Sequence, residues 1–426
     1  MLKRIFVGIV LCCLYVASAK SQFAVYSQSE YLQISNEENI DAIFLINGIN
    51  MQTEITYTGS EQIEWRRFDQ TFIANTPNFS PEEATGYIVF DKVASRPIKY
   101  IWVIDYSLYP IQINDLEVMG DCHTMSLNIS ASMPELVYYD KDNNRRTLSR
   151  TLSIAYTDLT YQDSVFQDEN ILHTLSYPVQ STVSLPAPKK DIEICLSGDN
   201  FASKMNLPLQ EFCVDYKAVA VECHPKGTVE KRQGENEYKR DDSSATLISG
   251  SAPLVVAFES KANTPTASFF EWKIYKRDNP NAYQRYSTED IHYTFRETGD
   301  YTARLEVKND DGSCTATDSL TISVLESLLE VPNAFSPNGD GINDEFRVIF
   351  KSLKSYNITI FNRWGRVVYK STDPSKGWDG RIGGKVAAAG TYYYVIEAVG
   401  ADIHTEGKYK GKSIEYKKKG HINLFK

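Results

Sequence analysis

The stretch that decides the fold class reads Gly299-Asp300-Tyr301-Thr302-Ala303-Arg304-Leu305-Glu306-Val307. From Tyr301 onward its apolar and polar residues alternate, so the apolar set shares one face of an extended strand. Similar short runs separated by turn residues recur along the chain, for example at residues 100–104 and 356–361. The chain also contains 27 tyrosines and 19 phenylalanines, which pack well on a pleated surface. These patterns predict an all-β protein made of tandem Ig-like β-sandwich domains that ends in a small β-sandwich.

The N-terminus has the features of a secretory signal peptide. Lys3 and Arg4 form a basic head, an apolar run follows at residues 5–17, and small residues lead to a cleavage site at Ala19. The apolar run is too short to cross a bilayer comfortably. We therefore expect residues 1–19 to be removed during export, with an uncleaved membrane anchor as the alternative.

The length of 426 residues predicts three or four folded domains, because single domains usually span about 100–200 residues. A strand at 115–118 should close the first domain, and strands at 212–216 and 218–221 should end the second. The polar stretch at 227–243 is either a long loop or a linker. The predicted divisions are an N-terminal β domain at 20–119, a second β-sandwich domain at 120–225, an Ig-like domain at 226–326 and a C-terminal β domain at 327–426.

The cysteines fit an oxidising compartment outside the cytoplasm. Once the signal peptide is removed, an odd number remains, so at least one thiol is free or pairs between chains. Their spacing contains no C-x-x-C motif and no zinc pattern, and we expect one or two structural disulfides whose pairing the sequence leaves open. The cysteines concerned are Cys122, Cys195, Cys213, Cys223 and Cys314.

The third predicted domain carries several short motifs of a known extracellular module. They are Tyr293-Thr294-Phe295, Gly299-Asp300-Tyr301-Thr302, Leu305-Glu306-Val307, and Asn309 with Gly312. On these motifs the segment resembles the PKD domain, an Ig-like module. It departs from the family at Glu271-Trp272-Lys273-Ile274-Tyr275, where a Trp-Asp-Phe-Gly-Asp-Gly-like stretch is usual. The resemblance implies a spacer or binding module and no chemistry.

Five sequence blocks follow one another in the C-terminal domain. They read Asn338-Gly339-Asp340-Gly341-Ile342-Asn343-Asp344, Asn362-Arg363-Trp364-Gly365, Gly377-Trp378-Asp379-Gly380, Gly390-Thr391-Tyr392 and Lys419-Gly420-His421-Ile422-Asn423-Leu424. Each block alone is weakly specific, but all five in this order at the end of an exported chain are strongly specific. Together they resemble the gliding-motility-associated, type B C-terminal sorting domain of the Bacteroidetes type IX secretion system, and the blocks would form its sorting signal.

This resemblance implies a route and a set of partners. The chain would cross the inner membrane by the general export route and pass from the periplasm through the type IX translocon. An outer-membrane protein of the SprF/PorP type would recognise the C-terminal domain. The chain would then lie at the cell surface or outside the cell. An exposed strand edge of the domain could pair with such a partner by β-augmentation.

The glycine-rich loop of the first block allows two interpretations. Asn338, Asp340 and Asp344 place oxygen atoms at spacings that could ligate a structural calcium ion. Alternatively, these side chains bond to their own backbone and form a turn. We expect no other cofactor. Trp364 and Trp378 are expected to pack in the core or against a turn and not to form a ligand platform, since large aromatic side chains usually anchor packing.

The sequence contains no motif of a catalytic site. It lacks H-E-x-x-H, G-x-S-x-G and G-x-G-x-x-G patterns, and the net charge of −10 argues against general nucleic-acid binding. The primary hypothesis is a non-enzymatic surface protein whose N-terminal domains bind a surface glycan or a protein. The alternatives are a structural subunit that stays attached to the secretion or gliding machinery, and a secreted hydrolase, which the sequence supports least.

Overall fold

The computed structural model describes residues 22–35, 37–230, 248–404 and 407–425. The predicted signal peptide at 1–19 and most of the polar stretch at 227–243 lie outside the described residues. The described chain is almost entirely β-structure, which confirms the predicted fold class. Across these described ranges, no helix combines the length and apolar character that a membrane crossing requires.

The first sandwich contains nine strands. They are β1 (Phe23–Tyr26), β2 (Tyr31–Ser35), β3 (Ala42–Ile46), β4 (Glu54–Tyr57), β5 (Ile63–Arg67), β6 (Phe72–Ala74), β7 (Asn78–Phe79), β8 (Thr85–Asp91) and β9 (Arg96–Asp105). A six-stranded sheet, ordered β2-β3-β9-β8-β5-β6, packs against the three-stranded sheet β1-β4-β7. Trp65 lies fully buried between the two sheets. A 3-10 turn at Tyr106–Leu108 leads out of β9.

The strand β3 is buried on both faces, and this links the first sandwich to the second. Phe44 points into the core around Trp65, whereas Ile43 and Leu45 pack in a second cluster with Leu136 and other residues of the next sandwich. Because successive side chains of a strand point to opposite faces, one continuous apolar strand serves two cores.

The second sandwich contains nine strands and one short helix. They are β10 (Gln112–Gly120), β11 (Thr124–Ser132), β12 (Leu136–Tyr139), β13 (Arg145–Leu148), β14 (Thr151–Gln162), β15 (Val165–Ser176), β16 (Thr182–Pro186), β17 (Ile192–Gly198), α1 (Asn200–Lys204) and β18 (Gln210–Tyr216). The sheets β10-β11-β16 and β15-β14-β17-β18 enclose its core, and β12-β13 form a separate hairpin.

One domain assignment and one strand assignment made from the sequence differ from this structure. Residues 115–118, expected to close the first domain, lie in β10, where Leu116 pairs with Ile129 of β11 in the core of the second sandwich. The two strands are joined by a tight turn, so their hairpin forms locally and belongs to the second sandwich. Residues 218–221 form no strand, and the N–H of Ala218 donates instead to the Asp191 carboxylate.

Within its described residues, the third sandwich contains eight strands. They are β19 (Lys226–Val229), β20 (Ile248–Ser251), β21 (Leu254–Glu259), β22 (Phe269–Lys276), β23 (Tyr283–Tyr286), β24 (Ile291–Phe295), β25 (Gly299–Lys308) and β26 (Thr315–Leu325). The sheets β19-β21-β24 and β20-β26-β25-β22-β23 enclose a core around Trp272. In β25 the alternating residues Tyr301, Ala303, Leu305 and Val307 are all buried, as their spacing predicts.

The C-terminal module contains the last nine strands. They are β27 (Leu328–Glu330), β28 (Ala334–Phe335), β29 (Ile349–Lys351), β30 (Leu353–Phe361), β31 (Val367–Ser371), β32 (Arg381–Ile382), β33 (Lys385–Val386), β34 (Gly390–Ile403) and β35 (Ser413–Leu424). A five-stranded sheet, ordered β28-β35-β34-β30-β31, dominates the module. The buried residues of its core all lie between Leu329 and Leu424, so none comes from an upstream sandwich.

Two disulfides and one free thiol account for the five cysteines among the described residues, as the odd count predicts. Cys195 and Cys213 are opposite residues of β17 and β18 within the second sandwich. Cys122, in the turn after β10, pairs with Cys314, in the turn before β26, across a sequence separation of 192. This second bond joins the second sandwich to the third. Cys223 is free and buried in the core cluster of the third sandwich.

Candidate functional site

Three of the five C-terminal sequence blocks contribute to the cluster around one buried side chain, Trp378. Its ring packs edge-on against Tyr392 at 4.9 Å between centroids and lies beside Phe335 at 5.4 Å. Its backbone forms a bridge with Phe346, which follows the glycine-rich loop. In the neighbouring strands, Tyr392 of β34 pairs with Ile422 of β35. The expectation that Trp378 is a packing residue is confirmed, since only 1% of its surface is exposed.

The glycines of the third block make this close packing feasible. A Cβ atom on Gly377 would lie 2.8 Å from the Glu345 Cβ and 3.1 Å from the Phe346 carbonyl oxygen. Gly380 has a φ of +72°, and a Cβ there would lie 2.8 Å from a ring carbon of Pro337. Any side chain at these positions would push the loop away from the core, so the motif is explained by packing.

The glycine-rich loop is held by its own side chains. The two carboxylate oxygens of Asp344 accept the N–H groups of Gly339 and Gly341 at 2.6 and 2.8 Å. Asp340 accepts the N–H of Ile342 at 2.8 Å, and this bond lowers the pKa of its carboxyl group. The Asn338 side chain likewise accepts the Asp340 N–H at 3.1 Å. This bonding is what the turn interpretation predicts; the calcium interpretation stays a prediction.

Trp364 does not pack, contrary to expectation: 77% of its surface is exposed. It sits at the tip of the β30–β31 hairpin, where the Asn362 side chain accepts the N–H groups of Trp364 and Arg366 at 3.0 Å each. Gly365 closes the turn with a φ of +79°. The fixed turn directs the indole away from the core, and the Arg363 guanidinium lies 4.5 Å from its ring centroid.

A buried polar cluster that sequence reasoning missed lies where the first two sandwiches meet. Arg150 and Asp199 are almost fully buried and bond at 2.5 Å. The hydroxyl of Tyr106 donates to Asp199 at 2.7 Å. Burial is the main cause that raises the pKa of Tyr106, and the hydrogen bond to the Asp199 carboxylate raises it further. Asp199 also caps α1 by accepting the N–H groups of Phe201 and Ala202. The Asp before a short helix was a readable signal for the cap, whereas nothing local marks Arg150.

The described residues offer little that resembles catalytic chemistry. Among them, the single close group of three His, Cys, Asp or Glu side chains is Cys195, Glu211 and Cys213, and its two cysteines form a disulfide. His224 stacks on Tyr161 at 3.8 Å and contacts Glu222 at 2.5 Å, so it packs the junction between sandwiches. A cleft of about 510 Å³ between the second and third sandwiches has a mixed-charge lining.

Comparison with known families defines the class of the C-terminal module. Residues 329–416 match the family described as CHU_C type IX secretion signal domain, and residues 117–213 match the fibronectin type III domain. The terminal block at 419–424 lies beyond the matched range. The chain therefore carries a type IX secretion signal domain at its C-terminus, as the sequence motifs predict, and a fibronectin type III/Ig-like domain precedes it. The PKD resemblance of residues 226–326 stays a prediction.

Comparisons with whole proteins add only weak likenesses. No curated protein matches the chain in sequence. Similar solved structures include the FN1-FN3 domains of chicken CNTN1, at 9% identity, with 72% of this chain and 96% of that chain covered and a TM-score of 0.26. Three N-terminal domains of the highly immunogenic outer capsid protein of bacteriophage RB49 are 12% identical, with 74% of this chain and 98% of that chain covered and a TM-score of 0.23. Sidekick-1 immunoglobulin domains 1-5 are 11% identical, with 93% of this chain and 78% of that chain covered and a TM-score of 0.24. Such scores carry no argument about this chain.

The secretion signal domain fixes the route and the final location of the protein. The chain is exported cargo of the type IX secretion system and resides at the cell surface or outside the cell. Its C-terminal domain interacts with the secretion machinery. The two matched families are non-catalytic in kind.

Proposed function

We propose that the chain is a non-enzymatic surface protein whose N-terminal sandwiches bind a glycan or a protein, while residues 327–426 direct outer-membrane translocation. The observation that carries this proposal is the closed core of the C-terminal module, to which no upstream residue contributes. A module with its own core can keep one shape whatever cargo precedes it, and the machinery can recognise that shape.

We also propose a division of the chain into four domains after the signal peptide. The separate cores support boundaries near residues 225 and 326. The pairing of β10 with β11 supports a boundary between the first two domains near residue 110, before β10, instead of after residue 119. These two domains also share the cluster around Leu45 and Leu136, so we expect them to behave as one rigid unit.

The partner in the outer membrane is proposed to be a protein of the SprF/PorP type. One edge of the five-stranded sheet is β28, which has two residues, and the other is β31, which has five. The β31 edge is the longer template for β-augmentation by such a partner.

A second function, a structural subunit that remains attached to the machinery, is favoured by the rigid junctions. The disulfide Cys122–Cys314 and the buried Arg150–Asp199 pair lock consecutive sandwiches together, as a strut requires. A pull-down on the native protein separates the two functions. Stoichiometric recovery with outer-membrane machinery supports the subunit, whereas free or glycan-bound protein supports the released binder.

Truncation tests the proposed function. In cells with a type IX system, we expect a chain ending at residue 326 to stay in the periplasm, while the full chain is cleaved by protease added to intact cells. Both disulfides and the three upstream cores are kept in the truncation, so the retained protein should be folded. Normal surface display of the truncation would refute the proposal. A shorter deletion of residues 419–426 is less informative, because it removes buried residues of β35.

A further inference from the structure

The five-stranded sheet of the C-terminal module leaves one face open to solvent. We call this the outer face and define it by outward residues of β31, β30, β34 and β35. Pairing places them in rows across these strands: Val367, Phe361, Tyr393 and His421; Lys370, Thr359, Val395 and Lys419; and Asn357, Glu397 and Lys417. In the described residues, no other strand or loop forms a layer over this face.

Apolar side chains are concentrated at one end of the outer face. Tyr393 and Val395 are 49% and 45% exposed, and they lie on the same side of β34. Val367 is exposed at the start of β31, two residues after the hairpin turn that presents Trp364. Large apolar side chains that remain in water on adjacent strands form a patch, and such patches mark interaction sites.

The composition of this patch is that of a protein interface. Trp, Tyr and Arg are the residue types enriched among the anchors that carry most binding energy. Trp364 and Arg363 stack on each other on a turn whose backbone is fixed by Asn362, so little conformational entropy remains to be lost on binding. A sheet face that contacts only water would gain nothing from an exposed aromatic side chain held on a fixed turn.

Charge on the outer face selects the kind of partner. Arg363, Lys370 and Lys419 form no ion pair among the described residues, and Glu397 is the one unpaired carboxylate on the face; Lys417 pairs with Glu415 at 3.5 Å. The chain as a whole carries a net charge of −10, so this cationic excess is local. Around an apolar centre, unpaired cations favour a partner with carboxylates at the rim of an apolar surface.

We propose that the outer face, with Trp364 at its end, is the surface by which the C-terminal module docks onto an acid-rimmed apolar patch of a protein component of the outer-membrane secretion machinery. This inference rests on the proposed function, because that function supplies the need for a partner. It adds the location of the contact, the anchoring residues and the charge of the partner. The β31 strand borders the outer face, so edge pairing and face docking can act together.

Substitution of the anchors tests the docking surface in the full chain. We expect Trp364→Ser, and separately Tyr393→Ser combined with Val395→Ser, to reduce the surface-exposed fraction on intact cells by about tenfold or more, the effect of losing a binding anchor. Val386→Ser is the matched control, because Val386 is 59% exposed in the same module but lies in β33, outside the sheet. The purified variants should keep the unfolding midpoint of the parent.

Charge reversal provides a second variant that leaves the apolar core untouched. Lys370→Glu combined with Lys419→Glu should also reduce surface display. Because both lysines are exposed, their substitution should not disturb the core, and the reduction would reflect lost docking. If the truncation at residue 326 is retained in the periplasm but all outer-face variants are displayed normally, the docking surface is refuted and the proposed function stands. Normal display of the truncation would overturn both.

A lipid membrane is the alternative partner for the outer face, and binding to lipid vesicles distinguishes it from a protein partner. The purified chain is mixed with vesicles of phosphatidylethanolamine and phosphatidylglycerol, and tryptophan emission is recorded. Trp364 is the one exposed residue among five tryptophans, so it dominates any shift. An unchanged spectrum supports a protein partner. A blue shift that disappears in Trp364→Phe would show that lipid occupies the face and would overturn the proposal.

Discussion

At the scale of single residues, the Arg150–Asp199 pair shows how a buried charge is made tolerable. The Arg150 guanidinium donates to Asp199 and to the carbonyl oxygens of Tyr109 and Pro134, both at 2.9 Å. The Asp199 carboxylate accepts from Tyr106 and from the first turn of α1. Each charge is therefore surrounded by bonded groups, which offsets much of the desolvation cost of burying it. The pair joins segments that are distant in sequence.

Arg150→Ala tests the contribution of this pair. Removing the cation leaves Asp199 buried without a charge partner, and the free energy of unfolding of the first two sandwiches should fall by about 3–5 kcal/mol. Urea unfolding measures the change. Arg67→Ala is the control, since its pair with Glu82 is exposed and should contribute no more than about 1 kcal/mol. Similar losses for both variants would contradict the structural role of the buried pair.

Cys223 should be unreactive in the native protein. Burial raises the pKa of its thiol to about 12, and the negative charges of Asp318 and Glu222 add to the effect. The thiolate is the reactive form, so the thiol stays protonated at pH 8. We expect iodoacetamide to label no cysteine of the mature native chain and one in urea without reductant, with Cys223→Ser as the unlabelled control. Rapid native labelling would contradict the burial.

At the scale of elements, β35 is the strand on which the C-terminal module depends. It pairs with β34 along most of its length and with β28 on its other side. Ile422 and Leu424 are fully buried, whereas Lys419 in the same strand is exposed. Ile422 and Leu424 of β35 therefore close a hydrophobic core.

Ile422→Ala should destabilise the C-terminal module by about 2–5 kcal/mol, because it leaves a cavity in a packed core. Thermal or urea unfolding of the full chain measures the loss. Lys419→Ala in the same strand should change stability by less than about 0.5 kcal/mol. If the two substitutions were equally mild, β35 would not be part of the core.

The glycine-rich loop provides a second test at this scale. Because Asp340 and Asp344 already accept backbone N–H groups, we expect calcium to leave the unfolding midpoint of the module unchanged. A calcium titration followed by thermal unfolding, with magnesium as the control ion, gives the answer. A rise of the midpoint with calcium alone would instead establish the predicted metal site, and Asp344→Asn should then abolish the rise.

At the scale of the whole molecule, each junction between sandwiches is held by specific bonds. Between the second and third sandwiches, the Asn263 side chain donates to the carbonyl oxygens of Lys189 and Ala220 and accepts the N–H of Glu222. The disulfide Cys122–Cys314 joins the same two sandwiches. At the last junction, the Ser352 hydroxyl donates to the carbonyl oxygen of Ser251 at 3.4 Å. The chain is therefore a series of braced modules and not beads on flexible linkers.

Replacement of Cys122 and Cys314 by serine tests the bracing. Neither cysteine belongs to a hydrophobic cluster, so both neighbouring cores should stay folded. We expect the segment between β18 and β19 to open more often and trypsin to cleave at Lys217 several times faster. The matched control, Cys195→Ser with Cys213→Ser, should lower the stability of the second sandwich by about 2–4 kcal/mol without opening the junction. Unchanged cleavage at Lys217 would contradict the brace.

Sequence patterns predicted the local features of this protein well and its long-range features poorly. The alternation in β25 and the ordered C-terminal blocks gave the fold class and the secretion signal domain. The same reasoning treated Trp364 and Trp378 alike, because large aromatic side chains usually anchor packing. They differ in what covers them: the segment around Phe335 and Phe346 packs over Trp378, whereas Trp364 stays 77% exposed beside the Arg363 guanidinium.

The sequence by itself determined that the chain is exported, that it is built of strands and that it ends in a secretion signal domain. These properties depend on the order and spacing of residues within short segments. Only the tertiary structure decided that Cys122 pairs with Cys314, that β10 joins the second sandwich, and that Trp364 faces solvent. Each of these depends on which segments meet after folding, and a pattern read over a few residues holds no information about contacts between residues 192 positions apart.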